Sequence, residues 1–64
     1  MPKGYYRDIV RLLRDHGYDY DRNTKGSHER WVNASGRFVI LPRNLYSRHT
    51  ANDILSRAGI DRKV

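Results

Sequence analysis

Sixty-four residues with no cysteine, and thirteen Lys and Arg against seven Asp and Glu, exclude a good deal at once. A chain this short reads as one domain spanning 1–64, burying only about 60% of the surface its unfolded form exposes, with no disulfide framework. It has no apolar run near the roughly 20 residues of a membrane span, and Met1-Pro2-Lys3-Gly4-Tyr5-Tyr6-Arg7 lacks the hydrophobic region of a signal peptide.

The formal net charge is +6, and ten of the thirteen cations are arginine, the side chain whose planar fork matches phosphate geometry. Such a surface is drawn to nucleic acid, to a membrane or to an acidic protein. No basic amphipathic stretch carries the aromatic or leucine face of a membrane binder, so nucleic acid comes first and an acidic protein second. A cytoplasmic protein is the expectation, as is the absence of any cofactor.

Residues 5–16 read as a helix. Tyr6, Ile9, Val10 and Leu13 fall at i, i+3, i+4 and i+7 on one stripe, with Leu12 at its margin. Arg7, Arg11 and Arg14 repeat that spacing on a face read as solvated, and Arg11 is positioned to pair with Asp15. Gly17 is a natural left-handed stop, Tyr18 packs back onto Leu13, and His16 suits the negative end of the helix dipole.

Tyr18-Asp19-Tyr20-Asp21-Arg22 alternates aromatic and charged residues, the pattern of a half-buried strand over 18–22. Asn23-Thr24-Lys25-Gly26 reads as a polar turn, in which Gly26 can take angles closed to other residues. A second strand is expected over 28–33, with Trp31 and Val32 as its apolar content, then a hairpin loop at Asn33-Ala34-Ser35-Gly36. Arg37-Phe38-Val39-Ile40-Leu41 is the strongest strand, and Pro42 ends it.

Arg43 to His49 reads as an irregular connection rich in cations. Thr50 looks like an N-cap with Asp53 three residues on, and Ala51, Ile54, Leu55 and Ala58 make a second helix over 50–58. Gly59-Ile60 repeats the Gly17-Tyr18 stop, and Asp61 to Val64 reads as a frayed tail. The expected fold is α+β: a two-layer α-β-β-β-α sandwich with a three-stranded antiparallel sheet and both helices on one face.

Chemistry concentrates in Lys25-Gly26-Ser27-His28-Glu29-Arg30. The three histidines are not at metal-ligand spacing, and the chain has no phosphate-binding glycine loop, activated serine motif or carboxylate pair. Ser27 and His28 are not a dyad, since neighbours on a strand face opposite ways. Imidazole, with an intrinsic pKa near 6.5, both takes and gives a proton close to neutrality. RNA carries its own nucleophile in the 2′-hydroxyl, so cleavage needs a base for that proton, cations for the phosphorane and an acid for the leaving oxygen. His28 fits the base, and Lys25 and Arg30 fit the phosphate. A histidine at a strand start is, on its own, more often structural.

Gly26-Ser27-His28 before a strand, then Leu41-Pro42, then Thr50 with Ile54-Leu55 and Ala58-Gly59-Ile60, resembles the HicA family of toxin ribonucleases from about Tyr6 to Ile60. The resemblance implies a double-stranded-RNA-binding-domain-like fold, metal-independent cleavage of messenger RNA that inhibits translation and growth, and inhibition by a HicB-like antitoxin. It implies His28 as the catalytic histidine and a site glycine at Gly26, with Arg22 or Lys25 serving where the family has an arginine shortly before that glycine. Around His28, then, Lys25, Gly26, Ser27, Arg30 and Arg22 are the candidate RNA- or phosphate-binding residues. The chain departs from the family's pattern at His49, Ala51 and Arg43-Asn44. His49 is a candidate for the missing acid, set against a surface or capping role. The alternative reading is a non-catalytic RNA-binding module on the same fold; a protein-binding adaptor is a third. The second helix starts poor in cations, which disfavours duplex RNA and points to single strands.

Overall fold

Two glycine-plus-hydrophobe stops set where the helices end, and the sheet is strung between them. The computed structural model describes residues 4–64; the first three residues of the stretch read for a signal peptide lie outside it. The elements are α1 (Tyr6–Asp15), β1 (Asp19–Lys25), β2 (His28–Val32), β3 (Phe38–Pro42) and α2 (Arg48–Arg57), in the expected α-β-β-β-α order. The strands form one antiparallel sheet ordered β1-β2-β3. Both helices press onto one face, where Ile9, Leu13, Trp31, Val39, Leu41 and Leu55 make up the centre of the core. Among the described residues, no helix is long and apolar enough to cross a membrane.

The apolar stripe of α1 is as expected, with Ile9 and Leu13 fully buried. At its end the Gly17 N–H donates to the Arg14 carbonyl (3.1 Å) and the Tyr18 N–H to the Leu13 carbonyl (2.9 Å). That is a Schellman stop. It needs a left-handed residue, and Gly17 has φ +84°. The Tyr18 hydroxyl then donates to the Ala58 carbonyl at 2.8 Å, tying the end of α1 to the end of α2. Gly59 and Ile60 make the same pair of bonds, to Ser56 and Leu55. His16 Nδ1–H donates to the Leu12 carbonyl at 2.8 Å, in keeping with a role at the helix C-terminus. Arg11 pairs with Asp8 (3.9 Å) rather than Asp15; an acid N-terminal to its cation is the better orientation.

Several boundaries differ from the sequence reading. Strand β1 starts after Tyr18 and runs through Lys25, so the polar turn expected at Asn23 to Gly26 is mostly strand. Two bulges, at Asp21 and Thr24, let those residues stay paired with β2. Nor is β1 half buried: every residue in it is exposed. It lies at the sheet edge, and the buried Tyr18 belongs to the helix stop. β2 ends at Val32 instead of Asn33, because Asn33 opens the hairpin loop, its Oδ1 accepting from the Ser35 and Arg37 N–H groups. β3 begins at Phe38 and takes in Pro42. Helix α2 starts two residues early: Ser47, not Thr50, is the N-cap, its Oγ accepting from the Thr50 N–H at 3.2 Å. Asp53 pairs instead with Arg57, at 3.0 Å. The connection before α2 buries Leu45, whose carbonyl accepts from the Tyr5 N–H. The expected frayed tail is tied down too, since the Val64 N–H donates to Asn52 Oδ1 at 2.8 Å.

A Cβ added at Gly17 meets nothing within 4 Å, so Gly17→Ala tests backbone conformation alone. It should destabilise the protein by about 1–2 kcal/mol, lowering Tm by roughly 4–8 °C per kcal/mol, with Gly17→Asn losing less, as read by thermal denaturation.

Candidate functional site

Alternation along β2 decides which way the histidine faces. Glu29 and Trp31 point into the core and are buried, as are Val39 and Leu41 of β3. His28 and Arg30 therefore stand on the other, helix-free face, with Phe38 and Ile40. β2 is the central strand, and His28 is paired on both sides, with Lys25 across one hairpin and Pro42 on β3.

Only Gly26 and Ser27 separate Lys25 from His28. Gly26 has φ +57° and, among the described residues, no non-glycine residue has a positive φ, which is the pattern of a two-residue type II′ turn with glycine first. A Cβ at Gly26 meets nothing within 4 Å, so the requirement is conformational. The turn is held from several sides. The Arg43 N–H donates to the Ser27 carbonyl at 3.0 Å. Asn23 Nδ2 reaches the Gly26 carbonyl and Thr24 Oγ1 the His28 carbonyl, each at 3.4 Å. Ser27 Oγ faces Asn44 Oδ1 at 3.5 Å, a long contact, so Ser27 serves the turn mainly through its backbone.

The candidate cations separate into two groups. Lys25 lies directly across the turn from His28. Arg22 and Arg30 are cross-strand partners one step further along, and such a like-charge pair repels unless something lies between. Asp21, the extra residue of the bulge, supplies the counter-charge: its Oδ2 is 2.6 Å from Arg30 Nη1 and 4.0 Å from Arg22 Nε. Arg30 also lies over the Phe38 ring, 4.4 Å from its centroid. Arg30 is thus held by protein partners, whereas Lys25 and most of Arg22 face solvent.

On the other side of β2, Glu29 is 5% exposed. Its Oε1 accepts from the Tyr6 hydroxyl at 2.8 Å and from Trp31 Nε1 at 3.0 Å, and its Oε2 lies 3.8 Å from Arg43 Nε. Two donors and a nearby cation satisfy the carboxylate, which is what permits its burial. Burial pushes the Tyr6 phenol above its ordinary value, and the hydrogen bond to Glu29 and that group's charge add to the rise against the Arg43 and Arg14 charges. Neither Glu29 nor Asp21 stood out in the sequence. The signal for Glu29 was its alternation with Trp31, which places both on the inner face.

His16 lies at the end of α1 and His49 in the first turn of α2, so neither is carried by the sheet that holds His28. Among the described residues, no group of three or more His, Asp or Glu is placed to hold a metal ion.

Residues 6–60 match the family model described as HicA toxin of bacterial toxin–antitoxin. The chain belongs to the HicA toxin family. No curated protein compared with it matches. Family membership makes this chain the toxin of a toxin–antitoxin pair and implies an antitoxin as its partner. The match runs from α1 through the second helix stop, and so covers both hydrogen-bonded stops and the His28 turn of this HicA chain.

The Tyr6–Glu29 pair gives a pH dependence. A phenol whose folded pKa is raised stabilises the fold fully below its ordinary value of 10.0. That contribution is lost as pH rises from there through the folded value. Urea titrations of wild type and Tyr6→Phe at a series of pH values should therefore differ by about 1–3 kcal/mol at neutral pH and converge above pH 10.

Proposed function

We propose that this HicA toxin is a metal-independent endoribonuclease that cuts single-stranded messenger RNA in the cytoplasm and is silenced by a HicB-like antitoxin. His28 is the general base. It takes the proton of a 2′-hydroxyl, the 2′-oxygen attacks the adjacent phosphorus, and the bond from phosphorus to the 5′-oxygen breaks, the leaving oxygen taking up a proton from water. The products carry a 2′,3′-cyclic phosphate and a 5′-hydroxyl.

The observation that carries this reading is the position of His28. Its side chain faces solvent on the open sheet face, while its backbone is paired with β1 on one side and β3 on the other. A base on a central strand is fixed in place yet accessible, which general-base catalysis requires. Lys25, across the turn, is the cation nearest in register and is assigned to the phosphate. Arg22 extends the same basic edge, and Arg30 acts through the Asp21 pair and Phe38 more than as a free phosphate ligand. Gly26 makes the turn that sets Lys25 opposite His28, and Ser27 anchors it. The Glu29 cluster positions β2.

His28→Ala should reduce RNA cleavage by about 10²- to 10⁴-fold with thermal stability unchanged, because the side chain is exposed. Cleavage should persist in excess chelator and stop at a site bearing a 2′-deoxy substitution. Undiminished cutting by His28→Ala, or cutting of the deoxy-substituted site, would overturn this mechanism; RNA binding without cutting by the wild type would leave the alternative, an RNA-binding module on this fold.

A further inference from the structure

The open face does not stop at β3. Beyond that strand's free edge lies a groove of about 450 Å³, bounded by Phe38, Ile40 and Pro42 on one side and by Thr50, Asp53 and Arg57 of α2 on the other. Pro42 is the cross-strand partner of His28. The groove therefore begins beside the His28 turn and ends at Phe38, four residues and about 13 Å along β3. β3 is bonded to β2 alone, so its outer edge presents unpaired backbone N–H and C=O groups towards this groove.

The lining is unusual for so basic a chain. Phe38 is 51% exposed and Ile40 37%, an apolar floor that gains nothing from phosphate. An A-form duplex would offer that floor little, since its bases are stacked inside and it presents sugars and phosphates. An unpaired base offers a flat π-face to an aromatic ring and a hydrogen-bonding edge beside it. Both are matched here. Arg30 braces the Phe38 ring from outside the groove lining. The Asp53–Arg57 pair, at 3.0 Å, sets a carboxylate acceptor next to guanidinium donors on the opposite wall.

We infer that this groove takes one unpaired base of an RNA single strand next to the bond cut at His28, with its ring on Phe38 and its edge towards Asp53, Arg57 and the free backbone of β3. The inference rests on the ribonuclease reading for the cut itself, but binding in the groove does not depend on cutting. Phe38 is a specificity residue in this account; it touches the base and no reacting atom.

The test uses the full chain carrying His28→Ala, so that RNA survives, titrated by fluorescence anisotropy with a labelled oligoribonucleotide as single strand and as duplex. Adding Phe38→Ala should weaken single-strand binding roughly 5- to 150-fold and leave duplex binding alone, while Phe38→Trp retains it; circular dichroism checks that each variant is folded. In the cutting protein, Asp53→Asn should change which base is preferred beside the cut. Equal single-strand affinity with and without Phe38 would overturn the inference. So would a Phe38→Ala variant that loses antitoxin binding but keeps RNA binding, which would assign the groove to the protein partner. Phe38-dependent binding by a wild-type chain that cuts nothing would remove the ribonuclease reading and keep the groove. Normal cutting by Phe38→Ala, with unchanged KM and base preference, would do the reverse.

Discussion

The buried carboxylate of Glu29 decides which face of the sheet His28 occupies. Strand periodicity is two, so a slip of one residue in β2 would carry His28 and Arg30 inward and Glu29 and Trp31 out. Apolar content alone resists that slip weakly, because β2 gives the core Trp31 in this register and would give it Val32 in the slipped one. Glu29 adds a polar constraint: it is satisfied in the core by Tyr6 and Trp31, and in any other register those donors would lose it. A buried charge with matched donors is a poor source of net stability but a strong discriminator between registers. Arg43 extends the constraint, because the residue that lies near Glu29 also bonds the Ser27 carbonyl through its backbone. One cluster under the sheet thus fixes both the strand and the turn above it.

The same logic changes how the charge of the chain is understood. A net charge of +6 suggests a broad phosphate-binding surface, yet Arg11, Arg22, Arg30, Arg43 and Arg57 all have acidic neighbours within 4.0 Å. Most of these pairs are exposed and contribute little to stability. Their effect is on direction. Asp21 draws Arg30 down onto Phe38 and leaves Lys25 as the cation facing His28. An acidic residue in a basic chain here sorts the cations into those that shape the face and those left for a ligand.

Local signals were legible wherever the chain must satisfy its own backbone. Gly17-Tyr18 and Gly59-Ile60 were visible as helix stops because a left-handed residue followed by a hydrophobe has few other uses, and the apolar run at Phe38 to Leu41 could only be a strand. His28 was singled out from the chemistry of its neighbours and from the family pattern, and the sheet shows only which face it occupies. The extent of β1 was not legible, because bulges at Asp21 and Thr24 depend on what β2 offers across the sheet. The cap at Ser47 was not legible either, because only the path of the chain around the buried Leu45 decides which residue is extended enough to serve. The groove beside β3 joins residues from two elements distant in sequence, and no local pattern announces it.

β1 shows why so small a protein can keep an ordered site on its surface. Every residue of β1 is exposed, so the strand adds almost nothing to the core and cannot be explained by burial. Its effect is to make β2 a central strand. Without β1, His28 would sit on an edge, paired on one side, where strands fray and local opening is easiest. With it, the residue opening β2 is clamped between Lys25 and Pro42, and a two-residue turn leaves no slack between cation and imidazole. The bulges then bend and twist the outer strand, bringing Arg22 opposite Arg30 with Asp21 beside both. Rigidity at the site therefore comes from pairing, not from packing, and this leaves the small core free to sit entirely on the helix side.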